Sequence, residues 1–216
     1  MGFFSTILDL LFPPKCAFCS KVLNKGDDGC CDLCIEALPY TDDLGKQEGE
    51  FFDFCISPLY YKGDVRKSLL KYKFRSATAN AYPYGKLLAD CIRGCPDIGY
   101  DLISWVPLSN KRKRSRGYDQ AFLLALATAL ELEDVAVETL KKQIDAKAQS
   151  DLGDREERAA NISGAYMVPD QEMIEGKCVL LIDDVVTSCA TLDECAKVLL
   201  AAGAKRVVCA ALARGE

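Results

Sequence analysis

Two adjacent carboxylates, Asp183 and Asp184, come directly after the apolar run Val179, Leu180, Leu181 and Ile182, and before Val185, Val186, Thr187, Ser188, Cys189, Ala190 and Thr191. The apolar run has the length and composition of a strand buried on both faces of a parallel sheet, and it is expected to stop at the acids. Beyond the loop, Leu192, Cys195, Ala196 and Leu199 recur at helical spacing. Strand, acidic turn, hydroxyl-rich loop and helix should therefore follow in that order. In open α/β sheets, ligands bind beyond the carboxyl ends of the strands, and a helix N-terminus there offers unpaired N–H groups to an anion. Those groups and the hydroxyls of Thr187, Ser188 and Thr191 suit a phosphate. Neighbouring carboxylates suit the vicinal hydroxyls of a ribose or a magnesium ion. The plainer alternative is a buried strand followed by a helix with Asp184 as a first-turn acid.

A second chemical cluster is cationic. Leu102 to Val106 reads as the first parallel strand of the core and runs into LSNKRKRSRGYDQ, a loop carrying Lys111, Arg112, Lys113, Arg114 and Arg116. If this strand is parallel to Val179–Ile182, the cations and the paired acids share one edge of the sheet. Cations for a leaving pyrophosphate opposite carboxylates for hydroxyls and metal are what a pyrophosphorylated sugar requires. A solvated charge run is the alternative.

The third cluster is made of thiols. The chain has twelve cysteines and no histidine, which removes Ser/His and Cys/His catalysis. Cys16 and Cys19 form one CxxC motif, and Cys31 and Cys34 form a second. Four thiolates at this spacing make a closed structural zinc site, and a four-thiolate set also accepts iron. Cys30 adjoins Cys31, but only Cys31 leaves two residues between itself and Cys34. Cys55, Cys91, Cys95, Cys178, Cys189, Cys195 and Cys209 fall within apolar patterns and read as small core residues.

The elements that must position these clusters can be taken in chain order. Residues 1–45 read as a lead helix over Phe3–Phe12 and a zinc ribbon, Thr41–Glu50 as a linker, and residues 51–216 as the main domain. Phe51 to Tyr61 suits a strand. Val65, Leu69 and Tyr72 mark one face of a helix whose other face carries Arg66, Lys67, Lys71, Lys73 and Arg75, a basic surface of interest only if it borders the ligand crevice. A second helix buries Tyr84, Leu87, Leu88, Cys91 and Cys95, and a third Phe122, Ala125, Leu126 and Ala129. With 216 residues, half of them apolar, the chain has room for one α/β domain and an appendage. A net charge of −5 gives no global attraction for nucleic acid or anionic membrane, so such contact must be local. No run of eighteen apolar residues provides a transmembrane helix. The N-terminal stretch lacks the basic flank and cleavage site of a signal peptide, so a cytoplasmic location is expected. MGFFST matches the myristoylation pattern but has no polybasic neighbour, and an amphipathic helix packed on the protein is expected instead.

Val179 to Thr191 resembles the 5-phosphoribosyl-1-pyrophosphate (PRPP) signature of type I phosphoribosyltransferases. VPLSNKRKRSRGYDQAFLLA, the run QSDLGDREERAANISGAY (Gln149, Leu152, Arg158, Asn161, Gly164, Ala165, Tyr166), the paired CxxC motifs and YKGDVRKSLLKYKFR are similar to segments of the ComF family. Two positions depart from the pattern: Ala146, where that family often has Thr, and Cys189, where the phosphate loop usually has a glycine that tolerates positive φ.

The resemblance implies an α/β type I phosphoribosyltransferase-like parallel sheet flanked by helices, with a small N-terminal zinc ribbon. It implies that Asp183 and Asp184 hold ribose hydroxyls and, with PRPP, Mg2+, and that the loop Val185–Thr191 holds the 5-phosphate. It further implies a competence-associated protein that assists with incoming single-stranded DNA, together with a helicase-like partner. Lys111, Arg112, Arg114 and Arg116, with the face of Lys67, Lys71 and Lys73, are then candidates for pyrophosphate or DNA contact. An active phosphoribosyltransferase and a scaffold with a vestigial loop are the other two readings. The sequence offers no nucleobase pocket.

Overall fold

The structure is a computed structural model that describes residues 13–24, 26–75, 77–143 and 164–216. The expected lead helix, and the Gln149–Asn161 part of the family-like run, lie outside the described residues. Two cysteine-bearing turns lead into the short helix α1 (Asp32–Ala37). There follow β1 (Cys55–Ile56), β2 (Leu59–Tyr60), α2 (Gly63–Phe74), α3 (Ala81–Arg93), β3 (Leu102–Trp105), α4 (Asn110–Arg116), α5 (Gln120–Glu131), β4 (Lys141–Lys142), β5 (Tyr166–Met167), β6 (Cys178–Val186), α6 (Ala190–Ala201) and β7 (Arg206–Arg214).

The main sheet is parallel, in the order β1-β7-β6-β3, with β2 also paired to β7. β1 and β2 are one edge interrupted at Ser57-Pro58, since proline has no N–H to give to the ladder. The single strand expected over Phe51–Tyr61 is therefore two short pieces. Because they too run parallel to β7, the Leu102 strand is not the first parallel strand of the core in chain order. β4 and β5 form a separate antiparallel pair.

The expected end of the acidic strand is also corrected. β6 does not stop at Asp183 but continues to Val186, because β7 runs beside it to the end. Asp183 pairs with Ala211, Val185 with Ala213 and Val186 with Arg214, and Gly215 N–H donates to Val186 O at 2.8 Å. The acids therefore sit on a strand, where side chains alternate between faces. Leu180 and Ile182, with Val208, Ala210 and Leu212, face the core shared with α2, α3, α5 and the cysteine module. Val179 and Leu181, with Val207, Cys209 and Ala211, face α6 and β5. Each valine, leucine or isoleucine among them contributes about 1.5–3 kcal/mol when fully buried, so the two-sided burial of this central strand pair fixes the register of the acids that follow.

The helices mostly bury the faces that their spacing indicates. Val65, Leu69 and Tyr72 on α2 are fully buried, as are Leu192, Cys195, Ala196 and Leu199 on α6 to within 1%. On α5 the expected face is shifted. Leu126 is exposed, and Ala121, Leu124 and Thr128 join Ala125 and Ala129 inside. The helix packs against α3 as well as the sheet, at a contact where a Cβ on Gly85 would lie 2.6 Å from Ala127 Cβ. Segment 41–50 is held rather than free: Gln47 bridges Cys55, and the amides of Glu50 and Phe51 donate to Asp193 Oδ1 on α6 at 2.7 and 3.0 Å. Among the described residues, no helix is long and apolar enough to cross a membrane.

Candidate functional site

The alternation along β6 divides the paired acids. Asp184 takes the face of Leu180 and Ile182 and is 3% exposed. Its Oδ1 lies 2.8 Å from the Lys73 ammonium on α2. Asp183 takes the other face, near Cys195, Tyr166 and Cys55, and its Oδ1 accepts the Asp184 N–H at 2.8 Å. Burial, and then the adjacent Asp184 charge, push the Asp183 carboxyl up to about 7, against the pull of Lys73. Burial alone would lower the Lys73 ammonium, but the charge and hydrogen bond of Asp184 outweigh it and hold it above its ordinary value.

Past Val186 the chain turns into α6 through Thr187, Ser188 and Cys189. Asp183, Val185–Thr191 and Leu192 line a concavity of ≈ 40 Å³ at the helix N-terminus. Cys189, where the family pattern has glycine, sits there at φ +59°, the left-handed region that glycine adopts without strain. The loop thus keeps the backbone geometry of a glycine with a thiol in its place.

The basic segment is not a loop but the helix α4. Ser109 caps it by accepting the Arg112 N–H at 3.4 Å, and Gly117 at φ +80° ends it. β3 and β6 are parallel neighbours, Trp105 opposite Ile182, and Val106 N–H donates to Ile182 O at 2.9 Å. The cations therefore follow β3 off the sheet at the same carboxyl edge where β6 carries the acids, on adjacent strands. Helical spacing then separates the cations. Lys113 turns inward and pairs with Asp119 at 3.0 Å, a structural contact that ties α4 to the start of α5. Lys111, Arg112 and Arg114 are exposed. Arg116 turns inward, its guanidinium 4.7 Å over the Phe74 ring and close enough to Asp184 to feel its charge. Burial draws the Arg116 pKa below its usual value, and Asp184 opposes this. Among the described residues, Arg116 Nη1 and Asp184 Oδ2 are both buried without a hydrogen-bond partner. Such atoms are costly when left unsatisfied.

Reading the residues by type alone missed Lys73 as the partner of Asp184. Its position gives the signal: it stands one helical turn beyond buried Leu69 and next to buried Tyr72, at the border of the packed face. The basic face of α2 does border the crevice, but through Lys73. Lys67 pairs within its own helix with Asp64, and Lys71 donates to Ser20 at 2.8 Å.

The four-cysteine module sits against this helix. The Sγ atoms of Cys16, Cys19, Cys31 and Cys34 lie within 4.8 Å of one another, and Cys19 Sγ and Cys31 Sγ are 3.8 Å apart. With Zn–S bonds of about 2.3 Å, the edge of a tetrahedron is about 3.8 Å, so the thiols fit a structural zinc. Burial works against ionisation of Cys16, but backbone N–H groups of Cys19, Cys31 and Phe18 outweigh it and bring the thiol down to about 6, preparing a thiolate ligand. The module is joined to α2 and α3: Ser68 Oγ donates to Ala17 O and meets the Tyr84 hydroxyl, and the Phe18 and Tyr84 rings are 5.7 Å apart.

Comparison with known proteins agrees with this layout. Residues 119–216 match the Phosphoribosyl transferase domain, and residues 7–53 match the Double zinc ribbon domain. Competence protein F of Haemophilus influenzae is 23% identical over 93% of this chain and 96% of its own length. Among solved structures, an allosteric regulatory enzyme of purine biosynthesis and the glutamine PRPP amidotransferase of B. subtilis match 66% of this chain, each at a TM-score of 0.45, with 16% and 18% identity. The chain spans 29% and 30% of those two chains. The chain thus combines a stretch matching a double zinc ribbon with one matching a phosphoribosyl transferase domain, and it is similar over nearly its full length to a competence protein.

Proposed function

We propose that the carboxyl edge of the sheet binds PRPP, or a closely related sugar diphosphate, with Mg2+. In this reading the loop Val185–Thr191 takes the 5-phosphate, Asp183 the ribose hydroxyls and Asp184 the cation side. Arg116, with Arg112, Arg114 and Lys111 at the rim, takes the pyrophosphate. The observation that carries it is the pair of unsatisfied buried atoms, Asp184 Oδ2 and Arg116 Nη1, at one sheet edge beside a hydroxyl-lined helix N-terminus. A carboxylate oxygen without a donor and a guanidinium nitrogen without an acceptor at one sheet edge suit a ligand carrying hydroxyls and phosphates together. Magnesium, when bound with the sugar diphosphate, would neutralise charge on the pyrophosphate. The protein's own part is to orient the sugar and hold the anion.

The competence protein resembled along nearly the full length supports a role in handling incoming single-stranded DNA. The exposed cations of α4 are the candidate contact, and the 64%-exposed ring of Phe74 beside Arg116 adds a stacking surface. Calorimetry tests the first part: Mg–PRPP should bind the wild type and fail to bind Asp183→Asn with Asp184→Asn, and a wild type without affinity overturns the reading. Anisotropy of labelled single-stranded DNA tests the second. Affinity should fall steeply with salt and drop in Arg112→Ala with Arg114→Ala, whereas a flat salt profile removes the DNA role. The phosphoribosyl transferase domain match supports a second reading, an active transferase. Pyrophosphate release from PRPP over a panel of nucleobases and amines would establish it.

A further inference from the structure

We propose that Lys73 is the resident counter-ion of Asp184 and makes divalent-cation binding at that carboxylate conditional on the arrival of a polyanionic ligand. This rests on the sugar-diphosphate reading of the site. Lys73 Nζ lies 2.8 Å from Asp184 Oδ1, with 20% and 4% of the two side chains exposed, while Oδ2 has no partner among the described residues. One oxygen is held by an ammonium and the other is buried without a partner, so the carboxylate keeps an unused acceptor for a hard divalent cation. With the ammonium seated, a second cation must approach against its charge and against that of Arg116, which faces the same carboxylate. A polyanion reverses the balance. Its phosphates attract Lys73 and Arg116 and bring the metal in as a complex.

The position of Lys73 allows the exchange. It sits in the last turn of α2, whose packing is carried by Val65, Leu69 and Tyr72, and the next residue, Phe74, is mostly exposed. A lysine is a point charge on a flexible four-carbon stem, so the ammonium can leave Asp184 for the crevice without repacking the helix. An arginine held by a bidentate fork would not exchange so readily.

The test uses the zinc-loaded full chain dialysed against buffered free Mn2+, with bound manganese measured by electron paramagnetic resonance. Wild type should take up Mn2+ at least tenfold more tightly with inorganic pyrophosphate or PRPP present than without. Lys73→Met should take up Mn2+ alone at least tenfold more tightly than wild type, and Asp184→Asn in that background should abolish the gain. Lys73→Arg, which keeps the charge but not the mobile ammonium, should exclude Mn2+ alone as wild type does and gain less than wild type from the polyanion. Equal Mn2+ uptake by wild type with and without the polyanion overturns the proposal, and this arm requires no variant to fold. A folded Lys73→Met that gains no manganese also overturns it, leaving the ion pair a structural contact. Wild-type PRPP affinity is measured separately, so its loss strikes the sugar-diphosphate reading, whereas unconditional Mn2+ uptake by a PRPP-binding wild type strikes only the role of Lys73.

Discussion

Lys73 Nζ, at the end of α2, lies 2.8 Å from Asp184 Oδ1, at the sixth residue after Cys178 on β6. The pair joins two segments more than a hundred residues apart in sequence and holds a carboxylate that is 3% exposed. Removing one partner of a buried pair leaves an uncompensated charge, which costs about 3–5 kcal/mol in fully buried cases. Lys73 keeps part of its side chain in solvent, so Lys73→Met should cost about 2–3 kcal/mol. Lys73→Met with Asp184→Asn should recover most of the loss, since no buried charge is then left alone. Urea denaturation of the four proteins in a double-mutant cycle measures it. Additive costs in the double variant would mean the two side chains do not interact in solution.

The strand, loop and helix carrying the acids were legible because each signal there is local: an apolar run, a hydroxyl cluster and apolar residues at helical spacing. The four cysteines were legible for the same reason. Where β6 ends was not, because the length of a strand is set by its neighbour, and β7 pairs with it as far as Arg214. That extra length is what puts Asp183 and Asp184 on opposite faces. The helical state of Asn110–Arg116 was hidden by a run of like charges with no apolar period. Lys73 was hidden because membership of a basic face does not show which of its residues turns over the edge of the packed side. On α5, a second packing partner rotated the buried face away from Leu126, which no single period reveals.

The zinc module should act at a distance on the sheet edge. Ala17 O accepts from Ser68 Oγ, and Ser20 Oγ from Lys71, so the module braces the helix that carries Lys73. Cys31→Ser, or stripping zinc with a strong chelator, should lower the thermal midpoint by many degrees, because metal binding energy in such modules is folding energy. The variant should also lose PRPP affinity although it lies outside the crevice. Calorimetry on the stripped and reloaded protein checks this, and unchanged affinity after zinc loss would show that α2 holds its place without the module.

Cys189 holds a left-handed backbone at φ +59°, a conformation that costs a residue with a Cβ about 1–2 kcal/mol. Cys189→Gly removes that strain but adds unfolded-state freedom worth about 0.5–1 kcal/mol. The net stability change should be small, between zero and about 1.5 kcal/mol in favour of the variant. The larger effect should be on ligand: without a side chain at the turn, the loop amides approach a phosphate more closely, and PRPP affinity should rise. A Cys189→Ala protein separates the two effects, because it loses the thiol and keeps the strain. If Cys189→Ala gains as much affinity as Cys189→Gly, the thiol and not the backbone governs access.

Asp183 gives the protein a pH dependence of unusual sign for an acid. Burial and the neighbouring Asp184 charge raise its carboxyl from the ordinary value of 3.8 to about 7. Between about pH 4 and 7 the folded state keeps a proton that the unfolded chain has released, so this group's contribution to stability falls as pH rises and levels off above 7. In Asp183→Asn that contribution is absent. The difference in urea midpoint between Asp183→Asn and wild type should therefore widen in favour of the variant from pH 4 to 7 and stay constant above. The measurement is made without PRPP, because a bound sugar diphosphate would take the place of the proton and return the carboxyl to its ionised form. With Mg–PRPP present the widening should vanish, and its persistence at full ligand saturation would mean that Asp183 takes no part in holding the sugar or its metal.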